Sequence, residues 1–197
     1  MAGTILLDFE DVKNTGPLAG NYNGVTVSGD AWSARSEVAG CGGTVSFNRP
    51  GSCGALWLAQ DPTSTAEDAT KSLTLSIADG FIGSLSFIYS GSVSVPELAV
   101  HVFDAAGKEL GTGLDSLTAA GCANYLFCNW SQTMTLNFTG VARSVTFSAL
   151  DQTILLDDLK FTTPTTTPGQ LPEPSSIALA LGALAGLGWA RKRAAAR

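Results

Sequence analysis

The chain has 197 residues, with seventeen acids against eleven bases and a formal net charge of −6. Sixteen of those acids but only seven of the bases stand before residue 162, so the body of the protein is strongly acidic. That balance excludes nucleic acid as the partner, because phosphates demand lysine and arginine.

From the N-terminus, apolar and polar residues alternate with the period of a β-strand, and no helical stripe interrupts them before residue 162. Met1-Ala2-Gly3-Thr4 leads straight into Ile5, Leu7 and Phe9, which alternate with Leu6, Asp8 and Glu10. The turn signal Asn21-Tyr22-Asn23-Gly24 precedes Val25-Thr26-Val27. Val45 and Phe47 alternate with Thr44 and Ser46, and Ala55 to Ala59 is a short apolar run. Leu73, Leu75 and Ile77 face one way, and Asp79-Gly80 is expected to turn the chain back into Leu85, Phe87 and Tyr89. Leu98, Val100 and Val102 form a further face before a hairpin turn at Asp104-Ala105-Ala106-Gly107. Met134, Leu136 and Phe138, then Val145 and Phe147, and last Leu155 to Phe161 complete the series. Nine or ten short strands with glycine-rich turns predict an all-β, jelly-roll-like β-sandwich over residues 1–161.

The four cysteines are Cys41, Cys53, Cys122 and Cys128. With one histidine in the chain and no CxxC spacing, a zinc site has little support. In an oxidising compartment an even number favours disulfides, and the local pairs Cys41–Cys53 and Cys122–Cys128 are preferred over four buried thiols.

Residues 162–171, rich in threonine and proline, read as an extended linker. Beyond it stand Pro172, Glu173 and Pro174, an uncharged stretch over 175–190, and a basic end at 191–197 opened by Arg191, Lys192 and Arg193. As a single transmembrane helix the uncharged stretch reaches about 24 Å, short of a hydrocarbon core of ~30 Å, which suits a temporary hold. Trp189 takes an interfacial position, and the basic cluster predicts a cytoplasmic C-terminus.

This tripartite tail resembles the PEP-CTERM sorting signal of Gram-negative bacteria. The resemblance implies that an exosortase recognises Pro172, Glu173 and Pro174 and removes the remainder. The inner membrane then holds the segment transiently, with Arg191, Lys192 and Arg193 as retention charges. It also implies an exported protein that ends at the cell surface or in the extracellular matrix, linked to exopolysaccharide and biofilm. Such a tail calls for an N-terminal export signal, which residues 1–4 do not supply.

Catalytic constellations are thin. His101 lies between Val100 and Val102 on the solvent side of its strand, with no nucleophile elbow to accompany it. The expectation is a non-enzymatic protein, with a tail-anchored hydrolase the disfavoured alternative.

The acids at the two ends of the domain carry more. Asp8-Phe9-Glu10-Asp11 closes the first strand, and Ile154-Leu155-Leu156-Asp157-Asp158-Leu159-Lys160-Phe161 is the last. Strict alternation puts Asp157 in one apolar row with Leu155, Leu159 and Phe161, where a carboxylate needs a partner or a cation. These two stretches are similar to those of secreted jelly-roll sandwiches related to carbohydrate-binding modules. The resemblance implies a structural calcium held by Glu10 and Asp157, with Asp11 and Asp158 as second choices. A carboxylate that caps backbone N–H groups or faces water is the alternative.

Carbohydrate recognition is the further expectation, since sugar rings stack on exposed aromatics. Tyr125, Phe127 and Trp130, with Asn124 and Asn129, lie in the segment around the second cysteine pair, and Trp32 and Trp57 are additional candidates. Each of these rings more often serves as core or loop packing than as a sugar platform. The sequence therefore supports a structural matrix protein first and a lectin-like module for secreted polysaccharide second.

Overall fold

A computed structural model of the protein describes residues 3–63, 65, 68–92, 97–116 and 125–164. The linker from residue 165, the motif at Pro172, Glu173 and Pro174, the apolar stretch, Arg191, Lys192 and Arg193, and also Asn124 and Cys122, lie outside the described residues. Among the described residues there is no helix, and so none long and apolar enough to cross a membrane.

The strands are β1 (Gly3–Leu7), β2 (Gly16–Pro17), β3 (Gly20–Tyr22), β4 (Val25–Gly29), β5 (Ala31–Arg35) and β6 (Gly54–Leu58). They continue as β7 (Thr70–Gly91), β8 (Glu97–Phe103), β9 (Glu109–Ser116), β10 (Met134–Leu150) and β11 (Ile154–Thr163). One layer runs β3-β4-β7-β10-β8-β9, using the first half of β7 and the second half of β10. The other runs β2-β5-β6-β11-β7-β10, using the opposite halves of the two long strands. β1 pairs antiparallel with the far end of β11, from Leu7↔Leu159 to Gly3↔Thr163, so the last strand continues past Phe161 into residues expected to be linker.

The long strands explain why the Asp79-Gly80 hairpin is not formed. Gly80 (φ 77°) bends β7 instead of reversing it, and the chain passes from one layer to the other. A Cβ at Gly80 would stand 2.6 Å from the Ala142 carbonyl oxygen, so the bend also needs the close approach that glycine allows. β10 bends with it, its register against β7 shifting between Asn137 and Val141. The two turns read from the sequence elsewhere are formed. Asn23 and Gly24 connect β3 to β4 with positive φ, and the Asp104 carboxylate accepts the Ala106 and Lys108 N–H groups between β8 and β9.

Between the layers the alternating residues close a single core: Leu73, Leu75 and Ile77 meet Leu85, Phe87, Val100, Val102 and Phe147. Phe81, fully buried, packs edge-on against both Phe138 and Phe161 at centroid distances of 5.4 and 5.1 Å. Full burial of side chains of this size contributes about 1.5–3 kcal/mol each, which is what fixes the register of every strand that carries one.

A second apolar cluster lies on the far face of β5, β6 and β11. Ala55 and Trp57 alternate with Leu56 and Leu58, so β6 is buried on both faces and serves both clusters. The outer residues Ala34, Trp57 and Leu155 are covered by Val45, Phe47 and Phe127, which come from connecting segments and not from long strands. Those segments are stitched to each other by backbone hydrogen bonds, Phe127 N–H to Ser46 and Asn48 N–H to Phe127, at 3.0 and 2.9 Å. A disulfide joins Cys41 to Cys53 across the first of them. Cys128 is also disulfide-bonded.

Candidate functional site

Two constellations meet around this second cluster: the acids expected to hold calcium, and a groove lined by aromatics.

The acids do come together. β1 and β11 pair side by side, and both leave regular geometry at the same level, at Phe9 (φ 54°) and Asp158 (φ 50°). The left-handed residue at Asp158 makes a bulge, since the β11–β7 register shifts between Asp157 and Lys160. Strict alternation therefore fails here. Leu155 belongs to the outer cluster, whereas Leu159 and Phe161 return to the main core, so Asp157 does not share their row. Asp157 is fully buried, as expected, and its partner is Arg49.

The Arg49 guanidinium bridges the two neighbouring acids, Nη1 donating to Asp157 and Nη2 to Asp158 at 2.5 Å. Ser52 links the two ends of the domain: its hydroxyl lies 2.5 Å from Glu10 Oε1 and 3.1 Å from Asp157 Oδ2. Glu10 also accepts the N–H groups of Cys53 and Gly54, at 3.1 and 3.3 Å. Gly54 is required at that point, because a Cβ there would fall 1.9 Å from the Phe9 carbonyl oxygen. Asp11 accepts from the Tyr22 hydroxyl, and Tyr22 stacks on Phe9 with ring centroids 5.3 Å apart. Burial, helped by Asp11, pushes the Tyr22 phenol well above its ordinary range, so it stays a donor.

This donor set does not fit a calcium ion. A guanidinium stands between Asp157 and Asp158, and serine, tyrosine and backbone donors occupy Glu10 and Asp11. Among the described residues no group of three or more acids, histidines or cysteines is placed to hold a metal. Burial pushes the Asp157 carboxyl up to about 7, against the opposing pull of Arg49 and of the Asp158 N–H.

Arg49 also ties this cluster to the aromatic segment, its guanidinium lying 5.5 Å from the Trp130 ring centroid. Trp130 is half-buried, with its indole N–H on the Asn48 carbonyl at 3.0 Å. Phe127 is fully buried, edge-on to Trp57, and has no surface on which a sugar ring could stack. Tyr125 is half-buried.

The groove opens beside them on the outer face of β5 and β6, with a volume of about 600 Å³. Trp32 and Trp57, direct cross-strand partners, form part of its floor. Val45, Pro62 and the 54% exposed Leu126 supply aliphatic walls, and Thr15, Thr44, Ser46, Thr63, Ser92, Gln152 and Thr153 supply hydroxyl and amide groups. Trp32 is half-buried and fixed by its indole N–H on the Gln60 carbonyl at 3.2 Å. The turn between β10 and β11 forms one end. It is held by Asp151, which accepts the Gln60 N–H at 2.9 Å, and by Gln152, whose side-chain amide donates to the Asp61 carbonyl.

Sequence reasoning named the two floor tryptophans but missed Arg49, Ser52, Leu126 and the β10–β11 turn. The only available signal for Arg49 was its place just before Pro50-Gly51 between two cysteines, as one of few bases in an acidic domain. His101, on the exposed side of β8, pairs with Glu109 at 3.3 Å and lies outside both constellations.

No family model and no curated protein matches the sequence. Among solved structures the chain is similar to a cleaved adhesin domain of Lys-gingipain from Porphyromonas gingivalis, with a TM-score of 0.54 and 13% identity over 83% of this chain and 99% of that one. It is also similar to a point mutant of CBM29-2, a family 29 carbohydrate-binding module, with a TM-score of 0.46 and 14% identity over 87% and 99% of the two chains. An arabinose-bound α-L-arabinofuranosidase matches at a TM-score of 0.45 and 14% identity, over 81% of this chain but 26% of that one. The likeness to the adhesin domain is one of fold, and the other two superpose too loosely to carry an argument.

Proposed function

We propose that this domain is an exported carbohydrate-binding module, with its ligand in the groove of Trp32 and Trp57. The observation that carries the reading is the groove itself: two tryptophans on the floor, hydroxyl and amide groups around them, and about 600 Å³ of space. Sugar sites combine these parts, an aromatic face for the C–H side of a ring and polar groups at its rim. Of the described lining residues only Asp151 is ionisable, and it is 2% exposed and already hydrogen-bonded, which supports a neutral sugar. Two disulfide-bonded segments support an oxidising compartment.

The direct test is retention of the protein on a panel of insoluble polysaccharides. Trp32→Ala is expected to lower retention by at least tenfold, the loss of one stacking contact and its packing, and Trp130→Ala, outside the groove, by much less. No retention on any polysaccharide would leave a structural role in the matrix as the better reading.

Delivery belongs to the same proposal. The tail from Pro172 resembles an exosortase substrate, and its removal would release the domain to the cell surface or matrix, where exopolysaccharide is the natural ligand. Mass spectrometry of surface material should find chains that end near Pro174. Surface chains that retain Arg197 would refute the processing.

A further inference from the structure

The turn between β10 and β11 carries a strain that its own closure does not explain. Gln152 has φ 60°, in the left-handed region that glycine and asparagine occupy cheaply and glutamine does not. Of the four described residues other than glycine with positive φ, Gln152 is the one that lines the groove. The turn closes without its side chain. Thr153 donates to the Leu150 carbonyl through its N–H at 3.3 Å and through Oγ1 at 2.8 Å. A glycine at position 152 would serve that closure with less strain. Strain of this kind persists where the surroundings enforce it, and it gathers at sites where a side chain has other work.

That work lies across the end of the groove, where Asp151 and Gln152 grip two consecutive residues of the segment after β6. The Asp151 carboxylate accepts the Gln60 N–H at 2.9 Å, and the Gln152 side-chain amide donates to the Asp61 carbonyl at 3.1 Å. The Gln152 backbone N–H is itself fixed on the Leu58 carbonyl, at the end of β6, at 3.1 Å. Between the two gripped groups lies the Gln60 carbonyl, which accepts the Trp32 indole N–H at 3.2 Å. The Asp61 carboxylate accepts the N–H and the hydroxyl of Thr63 at 2.9 and 2.7 Å, which sets the wall formed by Pro62 and Thr63. The orientation of Trp32, the more exposed of the two floor rings, and of one wall therefore passes through the turn. A ring that stacks on a sugar binds more tightly when its plane is fixed beforehand, because ordering it on binding costs affinity.

We infer that, on the carbohydrate reading of the groove, Gln152 is a positioning residue for the ligand. Its amide, presented from a left-handed backbone, holds the Gln60–Asp61 peptide and through it the plane of Trp32. Two substitutions in the full chain separate this role from stability. Gln152→Gly removes the amide but relieves the backbone, so the melting midpoint should stay near that of the wild type. Gln152→Met keeps the length and the strain, donates nothing, and should melt lower. Both should reduce retention several-fold on whichever of swollen cellulose, chitin and galactomannan holds the wild type. Both should also speed exchange of the Trp32 indole hydrogen with water, followed by NMR on the signal that Trp32→Phe removes. Full retention by either variant, or an unchanged exchange rate, would overturn the inference and leave the carbohydrate reading standing. So would a loss of retention that merely follows the midpoint, present in Gln152→Met and absent in Gln152→Gly. A Trp32→Ala protein retained as well as the wild type would instead show that the groove is not the site. A wild type held by none of the three polysaccharides would remove the carbohydrate reading, and the role of Gln152 with it.

Discussion

Between the two layers, Leu73, Leu75, Phe81, Phe147 and Phe161 are placed by long strands whose every second residue points inward. On the outer face, Phe47, Phe127 and Trp130 are placed by connecting segments, and only Trp32 and Trp57 among its described large rings are supplied by regular strands. The inner cluster is held by alternation and by the mutual pairing of β7 with β10. The outer one is held by individual devices: the Cys41–Cys53 disulfide, the Trp130 indole on Asn48, and Arg49 clamped between Trp130 and the bulge of β11. Alternation produces stability wherever the strand goes. Separate devices can be arranged to leave a gap, and the groove lies where this cover stops.

The comparison can be broken by removing one ring from each cluster. Phe81→Ala deletes a fully buried side chain at the junction of three core aromatics and is expected to cost about 3–5 kcal/mol, the range for large-to-small changes in cores. Urea unfolding gives that loss, and the protein that remains folded should bind polysaccharide as before. Phe127→Ala should cost about 2–4 kcal/mol, since connecting segments can collapse into part of the void. It should weaken polysaccharide binding at the same time, because Phe127 backs Trp57. Equal effects of the two changes on binding would remove the division between the clusters.

That division also marks what could be read from the sequence. Period-two runs such as Leu98, Val100 and Val102 state their buried face directly, and the Asp104–Gly107 turn carries its own hydrogen-bonding side chain. Asp79-Gly80 was legible as a positive-φ site but not as a bend, because a glycine serves a hairpin and a strand passing between layers equally well. Asp157 was legible as buried but not by face, since counting by two assumes no bulge and Asp158 adds one. The Arg49–Asp157 pair joins residues 108 apart and leaves no local pattern at either end. Composition marks aromatics such as Phe127 without telling a packed ring from an exposed one.

The Arg49 clamp gives a test that depends on pH. Arg49→Ala leaves Asp157 buried with Ser52 and the Asp158 N–H, among the described residues, to face it, and breaking a buried pair from one side costs about 3–5 kcal/mol when the carboxylate is charged. The charge state depends on pH in a definite direction. In the folded protein the Asp157 carboxyl titrates at about 7, whereas in an unfolded chain an aspartate titrates at about 3.9. Between those values the folded state holds a proton that the unfolded state has released, so this group adds stability as pH falls through 7 and adds no more below about 4. The wild-type melting temperature should therefore be higher at pH 5 than at pH 8, by about 5 °C for a domain of this size, and Asp157→Asn should flatten the profile. The Arg49→Ala defect should be largest at pH 8 and shrink at pH 5, where the buried carboxyl is neutral and needs the guanidinium less. Because the cation beside Asp157 and Asp158 is a side chain, EDTA should leave the wild-type midpoint unmoved at either pH. A midpoint that falls with EDTA and returns with calcium would show that the acids hold an ion after all, and that Arg49 is its neighbour and not its substitute.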